Sequence, residues 1–184
     1  MKVETHDSFA YPKEEHQAIK MLVNIINKTS SKIETGDKVN PSDLNNINKL
    51  IEWIDKCHHA KEEEVIIPKL QSKTKNLDES IKTLLNDHKL GRNLVHNIRN
   101  DSENWMGEHK PNESLARNLR AYAAFLSEHI EKEDQVFDAK ETKLFTDKDH
   151  EEAITQFDEI EKRIGLGTSK KMRVAVFDLH KKLG

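Results

Sequence analysis

Four long segments of the chain share one pattern, in which apolar residues recur at spacings of three and four. Such spacing is typical of helices that bury one face in an antiparallel bundle. The pattern therefore predicts an all-α protein built on an antiparallel up-down-up-down four-helix bundle. The four stripes are His16, Ile19, Val23 and Ile26; Leu44, Ile47, Ile51, Ile54, His58, Glu62 and Val65; Ile81, Leu84, His88, Gly91, Val95 and Ile98; and Leu115, Leu119, Tyr122, Leu126, His129, Glu133 and Val136.

Turn-forming segments at 35–41, 71–76 and 107–112 separate the four predicted helices. Two further helices are expected after the bundle, the first ending at Gly165, a residue type that commonly closes helices. We expect a single domain over residues 1–184, with the bundle at about 12–144 and a C-terminal helical extension at about 147–183. The predicted helices span about 12–31, 41–70, 78–105, 113–144, 147–164 and 168 onwards.

The composition is typical of a helical protein and argues against some classes of partner. The chain has 34% charged and 5% aromatic residues, with only 6 glycines and 4 prolines. Its net charge is −3 and no basic stripe stands out, which argues against a nucleic-acid partner. No apolar run has the length of a membrane span or a signal peptide, and a single cysteine fits a reducing compartment. We therefore expect a cytoplasmic protein without a membrane partner.

Each of the four stripes is interrupted by a histidine where an apolar residue is due. In the second and fourth stripes a glutamate follows one turn later, as Glu62 after His58 and Glu133 after His129. Burying carboxylates among imidazoles is costly unless a cation compensates the charge, and a metal ion does so. The interruptions therefore predict a metal site in the core.

Turn positions indicate that the four histidines meet. In an up-down bundle, residues at one level are equidistant from the turn that joins their helices. The midpoints between His16 and His58, His58 and His88, and His88 and His129 all fall within the three predicted turns. The two glutamates lie about 6 Å further along parallel helices, level with each other. The predicted site is therefore His16, His58, Glu62, His88, His129 and Glu133.

Six donors are too many for one tetrahedral zinc ion, and they suit two metal ions bridged by carboxylates. Mixed imidazole and carboxylate donors favour iron, with zinc or another divalent metal as the alternative. The four stripes form the seam along which the helices pack together. The Glu-x-x-His motif of ferritin-like bundles is absent from these seam positions.

The stretches EEHQAI (14–19), CHHAKEEEVIIPKL (57–70), DHKLGRNLV (87–95) and SEHIEKEDQVF (127–137) resemble the hemerythrin-like, or HHE cation-binding, family. The resemblance implies a non-haem di-iron centre, with oxo or hydroxo and carboxylate bridges, ligated by the six residues above. Glu62 and Glu133 would be the bridging carboxylates. It also implies a protein that binds or senses dioxygen, nitric oxide or peroxide. The alternatives are an enzyme that decomposes peroxide or reduces nitric oxide, and a storage or regulatory module for iron or zinc. The redox partner is not indicated.

One position departs from the family. Oxygen-carrying members have a fifth histidine one turn after the third-helix histidine, where this chain has Arg92. Either the iron is more open, or a carboxylate such as Glu63 or a tyrosine is added. His59 and Glu63 are expected on the helix flank, about 100° from the stripe, as additional ligands or as hydrogen-bond partners of ligands. Gly91 either leaves room for a small ligand or allows close helix packing.

Overall fold

The computed structural model describes residues 7–105, 110–138, 142–165 and 167–183, and all regular secondary structure in these ranges is helical. The predicted all-α class is therefore confirmed. Helical structure continues without a break from Pro41 to Lys73, although its middle contains two π-helical segments. The elements are α1 (Ala10–Thr35), α2 (Pro41–Trp53), π1 (Ile54–His59), π2 (Glu62–Ile66), α3 (Ile67–Lys73), α4 (Asp78–Trp105), α5 (Glu113–Val136), α6 (Asp147–Ile164) and α7 (Thr168–Leu183).

Local sequence signals explain where the helices begin and end. Gly36 closes α1 with a left-handed φ of 76°, which favours glycine. Asn40 and Asn112 cap α2 and α5, each accepting a hydrogen bond from a backbone N–H in the first turn. Thr146 and Asp149 form a reciprocal capping box at the start of α6. Of the third predicted turn, residues 107–109 lie outside the described ranges.

The fourth bundle helix is shorter than the sequence predicts. α5 ends at Val136 rather than near residue 144, because Phe137 adopts φ −101° and ψ 41°. The buried Phe137 ring lies 6.2 Å from that of Phe9, which also packs edge-on against Phe145 at 4.9 Å. Because the chain leaves the helix at Phe137, these aromatic rings can pack together at this end of the bundle. Residues 139–141 of the predicted helix are outside the described ranges.

Polar pairs between neighbouring helices show that the helices run antiparallel. In two neighbouring helices, residues near the end of one helix contact residues near the start of the other. α1 and α4 both pack on α5, and α4 also packs on the helix that begins at Pro41. The pairs are Glu34–Arg120 and Lys20–Asp134 between α1 and α5; Asp87–Lys132 and Asp101–Asn118 between α4 and α5; and Glu52–Arg99 and Asp55–Arg92 between the second bundle helix and α4.

The apolar core consists of two clusters, at opposite ends of the bundle. One cluster includes Leu22, Ile51 and Leu119, and α7 adds Val176 and Leu179 to it. The other is built around Val65, Ile66, Leu70, Ile81 and Leu84, and α6 adds Ala153, Phe157 and Ile160 to it. Burying an aliphatic or aromatic side chain of this kind contributes about 1.5–3 kcal/mol. The histidines and glutamates of the predicted site lie at the level where the two clusters meet.

The length and hydropathy of the helices can be compared with the prediction that the chain has no membrane-spanning segment. In the part of the chain that is described, no helix combines the length and the hydropathy that a membrane crossing requires.

Gly36 provides a test of the α1 cap. A Cβ at this position would lie 3.0 Å from two side-chain carbons of Pro111, in addition to the strain of the left-handed backbone. Gly36→Ala should therefore lower the free energy of unfolding by more than about 1 kcal/mol, measured by urea denaturation. Gly167→Ala is the matched control, because Gly167 also has positive φ (70°) but nothing within 4 Å of an added Cβ. Equal losses in both variants would show that the Pro111 contact costs nothing.

Candidate metal centre

All six residues predicted for the site lie together in the middle of the bundle. α1 supplies His16, α4 supplies His88, and α5 supplies His129 and Glu133, whereas His58 and Glu62 come from π1 and π2. Each of the six side chains is at most 2% exposed. The four histidines come from segments that are distant in sequence, and the structure brings them together in one cluster.

The structure adds a fifth imidazole, His59, which the sequence placed on the helix flank. The α-helical rotation of about 100° per residue does not hold here, since His58 and His59 end π1. In a π-helix the hydrogen bonds run from i to i+5, so each residue turns through a smaller angle and adjacent side chains can face one side. The His59 ring is 3% exposed and stacks on His88, with ring centroids 4.1 Å apart and an interplanar angle of 15°. His59 therefore takes the role of a fifth inward-facing histidine, although it is on the second helix.

The ligand-type atoms form two groups that share one glutamate. The first group contains His16, His58, Glu62 and Glu133, and the second contains His59, His88, His129 and Glu133. Within each group the donor atoms lie within 4.8 Å of one another, close enough to surround a single metal ion.

The two oxygens of Glu133 face different groups. Its Oε2 lies 3.1 Å from His16 Nε2, whereas its Oε1 lies 2.7 Å from His129 Nε2 and 3.3 Å from His88 Nε2. This carboxylate therefore spans both groups.

Glu62 is placed in the same way. Its Oε1 is 3.6 Å from His58 Nε2 and its Oε2 is 3.5 Å from His88 Nε2. Glu62 therefore also has one oxygen near an imidazole of each group.

Several buried donor atoms have no hydrogen-bond partner among the residues that the structure describes. A buried polar atom without a partner costs free energy, so a cluster of them needs an explanation. A pair of metal ions bound between the two groups would satisfy them together, and the mixed nitrogen and oxygen donors fit divalent transition metals. These atoms are His16 Nε2, both ring nitrogens of His59 and His129, both oxygens of Glu62, and Glu133 Oε2.

The Nδ1 atom of every imidazole in the site faces a carboxylate. For His16, His58 and His88 the carboxylate forms a hydrogen bond with Nδ1, which fixes the ring tautomer so that Nε2 is left for a metal ion and raises ligand basicity. The carboxylates near His59 and His129, in contrast, form no hydrogen bond with Nδ1. The separations from Nδ1 to the nearest carboxylate oxygen are 2.8 Å for His16–Asp134, 2.9 Å for His58–Glu15, 2.7 Å for His88–Glu63, 3.5 Å for His129–Asp87 and 3.8 Å for His59–Asp55.

Four of these five carboxylates were missed by the sequence reasoning. Glu15, Asp87 and Asp134 each stand next to a seam residue of their own helix, yet each contacts the histidine of a neighbouring helix. An acidic residue beside a seam position is the signal that could have found them. Asp55 carries a different signal, because it precedes His59 by one helical turn.

Glu63 is a hydrogen-bond partner of a ligand-type histidine in this structure rather than a member of either donor group. Its Oε1 accepts from His88 Nδ1 at 2.7 Å and from Arg92 Nη1 at 3.1 Å. Arg92 also donates to Asp55 Oδ1 at 2.9 Å. The arginine at the position of the family's fifth histidine therefore links the carboxylates behind His88 and His59.

Gly91 allows close packing and does not leave a space for a ligand. A Cβ on Gly91 would lie 2.9 Å from Cε1 of Phe125. The Phe125 ring in turn stacks on His129, with centroids 5.4 Å apart and an interplanar angle of 12°. The absence of a side chain at Gly91 lets Phe125 cover His129.

Burial and the neighbouring charges shift the pKa values of several groups in the site. Burial works against a charged His88, but its close contacts with the carboxylates of Glu133, Glu62 and Glu63 outweigh burial and raise the pKa of His88 to about 11. Burial lowers the pKa of His59 to about 3, so this ring is neutral, as a metal ligand must be. Burial and the nearby charge of Glu133 raise the pKa of Glu62. Protons on the imidazoles thus supply the positive charge that metal ions would replace.

Comparison with known proteins agrees with the motifs. Residues 10–140 match the family described as the hemerythrin HHE cation binding domain. The match covers the helices from α1 to α5 and ends before α6 and α7. No curated protein and no solved structure matches the chain.

His59→Ala tests whether the fifth imidazole is a ligand. Removing it should weaken binding of one metal ion by more than about 100-fold, a larger effect than loss of an outer partner usually has. The metal content after dialysis should then fall from two ions towards one per chain. His96→Ala, at an exposed histidine of α4, should retain both ions. Retention of two ions at unchanged affinity in His59→Ala would show that His59 is not a ligand.

Glu63→Ala tests the role of Glu63 as a partner of His88. Loss of the carboxylate should weaken metal binding about 10- to 100-fold without removing a ligand, measured by competition with a chelator. Glu64→Ala is the matched control, because Glu64 pairs with the exposed Arg163 instead. The same affinity in both variants would contradict this role.

Proposed function

The chain belongs to the hemerythrin HHE cation-binding domain family, and from this premise we propose that it is a non-haem di-iron protein that binds or senses dioxygen, nitric oxide or peroxide. The observation that carries the proposal is the position of the two glutamates, whose four oxygens are divided between two groups of imidazoles. A single metal ion would not need this division, whereas a carboxylate-bridged pair does.

The donor set supports iron over the competing metals. Five imidazoles and two carboxylates provide nitrogen and oxygen donors without a thiolate, since the sulfur of Cys57 faces Ser169 rather than the site. Iron accepts such mixed donors at coordination numbers above four, whereas structural zinc sites are usually tetrahedral. We therefore assign the centre to two iron ions, held by His16, His58, His59, His88, His129, Glu62 and Glu133.

The unequal number of imidazoles supports a role in binding a small ligand. The first group has two imidazoles and the second has three, and in the proposed centre both Glu133, which belongs to both groups, and Glu62, which has one oxygen 3.5 Å from His88 Nε2, are shared. If both metal ions have the same coordination number, the position with two imidazoles retains one more place for an exogenous molecule. Because all seven side chains are at most 3% exposed, that molecule must be small. Dioxygen, nitric oxide and peroxide meet this requirement.

The chain's own residues set the conditions for such a ligand. The iron pair, when bound, would supply reversible coordination and redox chemistry. Hydrogen bonds from the outer carboxylates hold Nε2 of His16, His58 and His88 towards the centre, and the apolar clusters on either side of the site exclude water. Placement in the cytoplasm, where the free thiol of the buried Cys57 is stable, belongs to the same proposal.

Metal analysis with absorption spectroscopy tests the proposal. Protein purified without added metal should contain about two iron ions per chain, as expected for a carboxylate-bridged pair. It should show near-ultraviolet and visible charge-transfer bands that change on addition of azide, peroxide or nitric oxide. Glu133→Ala should lose both the iron and the bands, because this residue belongs to both groups. His96→Ala should keep them.

Two outcomes would replace this function with another one. Two equivalents of zinc and no colour would indicate a storage or regulatory module for metal ions. Peroxide turnover far above that of free iron, lost in Glu133→Ala, would indicate an enzyme.

A further inference from the structure

Lys61 is a fully buried lysine between the two π-helical segments, and its side chain has 0% exposure. Its Nζ donates to Glu15 Oε1 at 2.6 Å, to Ser169 Oγ at 2.7 Å and to Glu161 Oε1 at 2.9 Å. Taking a lysine and its carboxylate partners out of water is costly, and hydrophobic residues of the same volume are often as stable. The presence of this charge in the interior therefore calls for an explanation beyond stability.

Glu15 connects this lysine to the metal centre. One of its oxygens, Oε2, accepts from His58 Nδ1 at 2.9 Å. The other, Oε1, accepts from Lys61 and also from Ser169 Oγ, which lies 2.5 Å away. Both oxygens are thus held, and the direction of the His58 ring follows from the position of Glu15.

The partner of His58 differs from the partners of the other imidazoles. The side chain of Glu15 is 3% exposed, whereas those of Asp134, Glu63, Asp55 and Asp87 are 39%, 29%, 28% and 16% exposed. Water can reorganise around the exposed carboxylates, but Glu15 depends on protein groups alone. Ser169 of α7, which donates to Glu15, and Glu161 of α6, which accepts from Lys61, both lie outside the range matched by the family.

We propose that Lys61, Glu161 and Ser169 are positioning residues of the metal centre. Through Glu15 they hold the His58 ring in the orientation that a metal ion bound by His16 and His58 requires. The two C-terminal helices are then part of the metal centre rather than an appendage to the bundle. This inference rests on the function proposed above.

Zinc binding by the metal-free full chain tests the inference without relying on activity. Ser169→Ala should weaken binding of one of two zinc ions about 10- to 100-fold, the range expected when the partner of a ligand loses its support. Lys61→Met should have a larger effect on the same ion. Ser30→Ala and Lys69→Met are matched controls, because Ser30 is a buried serine bonded within α1, and Lys69 pairs with Glu152 of α6 at the surface.

Nuclear magnetic resonance of the imidazoles in the zinc-loaded protein supplies a second readout. The Nδ1–H resonance of His58 should shift in Ser169→Ala, while those of His16 and His88 stay in place, since their partners are Asp134 and Glu63. A change confined to one ring is not expected of a merely structural serine. Should Lys61→Met fail to fold, Ser169→Ala decides alone, because it leaves no unpaired charge.

The outcomes separate the two proposals. Wild-type protein that binds fewer than two zinc ions would contradict the two-metal centre itself. Wild-type protein that binds two, with unchanged affinity and unchanged His58 resonance in Ser169→Ala and in any folded Lys61→Met, would overturn the positioning role alone. Equal shifts of all imidazole resonances in Ser169→Ala would also overturn it, because the effect would then be general.

Discussion

Two glutamates with no exposure to solvent impose the main constraint on this structure. An uncompensated carboxylate in a protein interior costs several kcal/mol, so Glu62 and Glu133 are stable only with positive charge close by. The imidazoles of His16, His58 and His88, whose pKa values are raised, provide that charge as protons, which metal ions would replace. At one level of the bundle, these polar residues take the place of apolar residues in the seams of the four helices. The core consequently consists of two apolar clusters with a polar layer where they meet.

Periodicity and turn positions were enough to predict the helical class, the antiparallel order and the common level of the four seam histidines. They failed at His59, because the expectation of about 100° per residue assumes an α-helix, and π1 departs from it over six residues. Nothing in the letters CHHAKEEE distinguishes the two helix types. The early end of α5 was also missed, since it depends on aromatic packing between Phe137 and Phe9, which are distant in sequence.

Three of the outer carboxylates could not be assigned from the sequence because each contacts a histidine on a different helix from its own. Glu15 follows the register of α1 but contacts His58, while Asp134 follows that of α5 but contacts His16. Asp87 of α4 faces His129 of α5 in the same manner. Each assignment requires knowing which helices are neighbours and at what height. This exchange also ties the helices together, since sliding one helix along its axis would remove partners from two imidazoles.

The two halves of the centre are built to different degrees of rigidity. The Nδ1 atoms of His59 and His88 face the carboxylates of Asp55 and Glu63. Arg92 donates hydrogen bonds to both of these carboxylates at the surface. An exposed pair of this kind is screened by water and salt and constrains its ligands weakly. His58 instead depends on an interior network, in which every polar contact of Glu15 comes from protein. The π-helical geometry explains how both halves arise from one stretch: it turns His58 and His59 inward together and leaves Lys61 free to reach the C-terminal helices. The position with two imidazoles, where we propose that an exogenous ligand binds, is therefore also the one with the more rigid histidine.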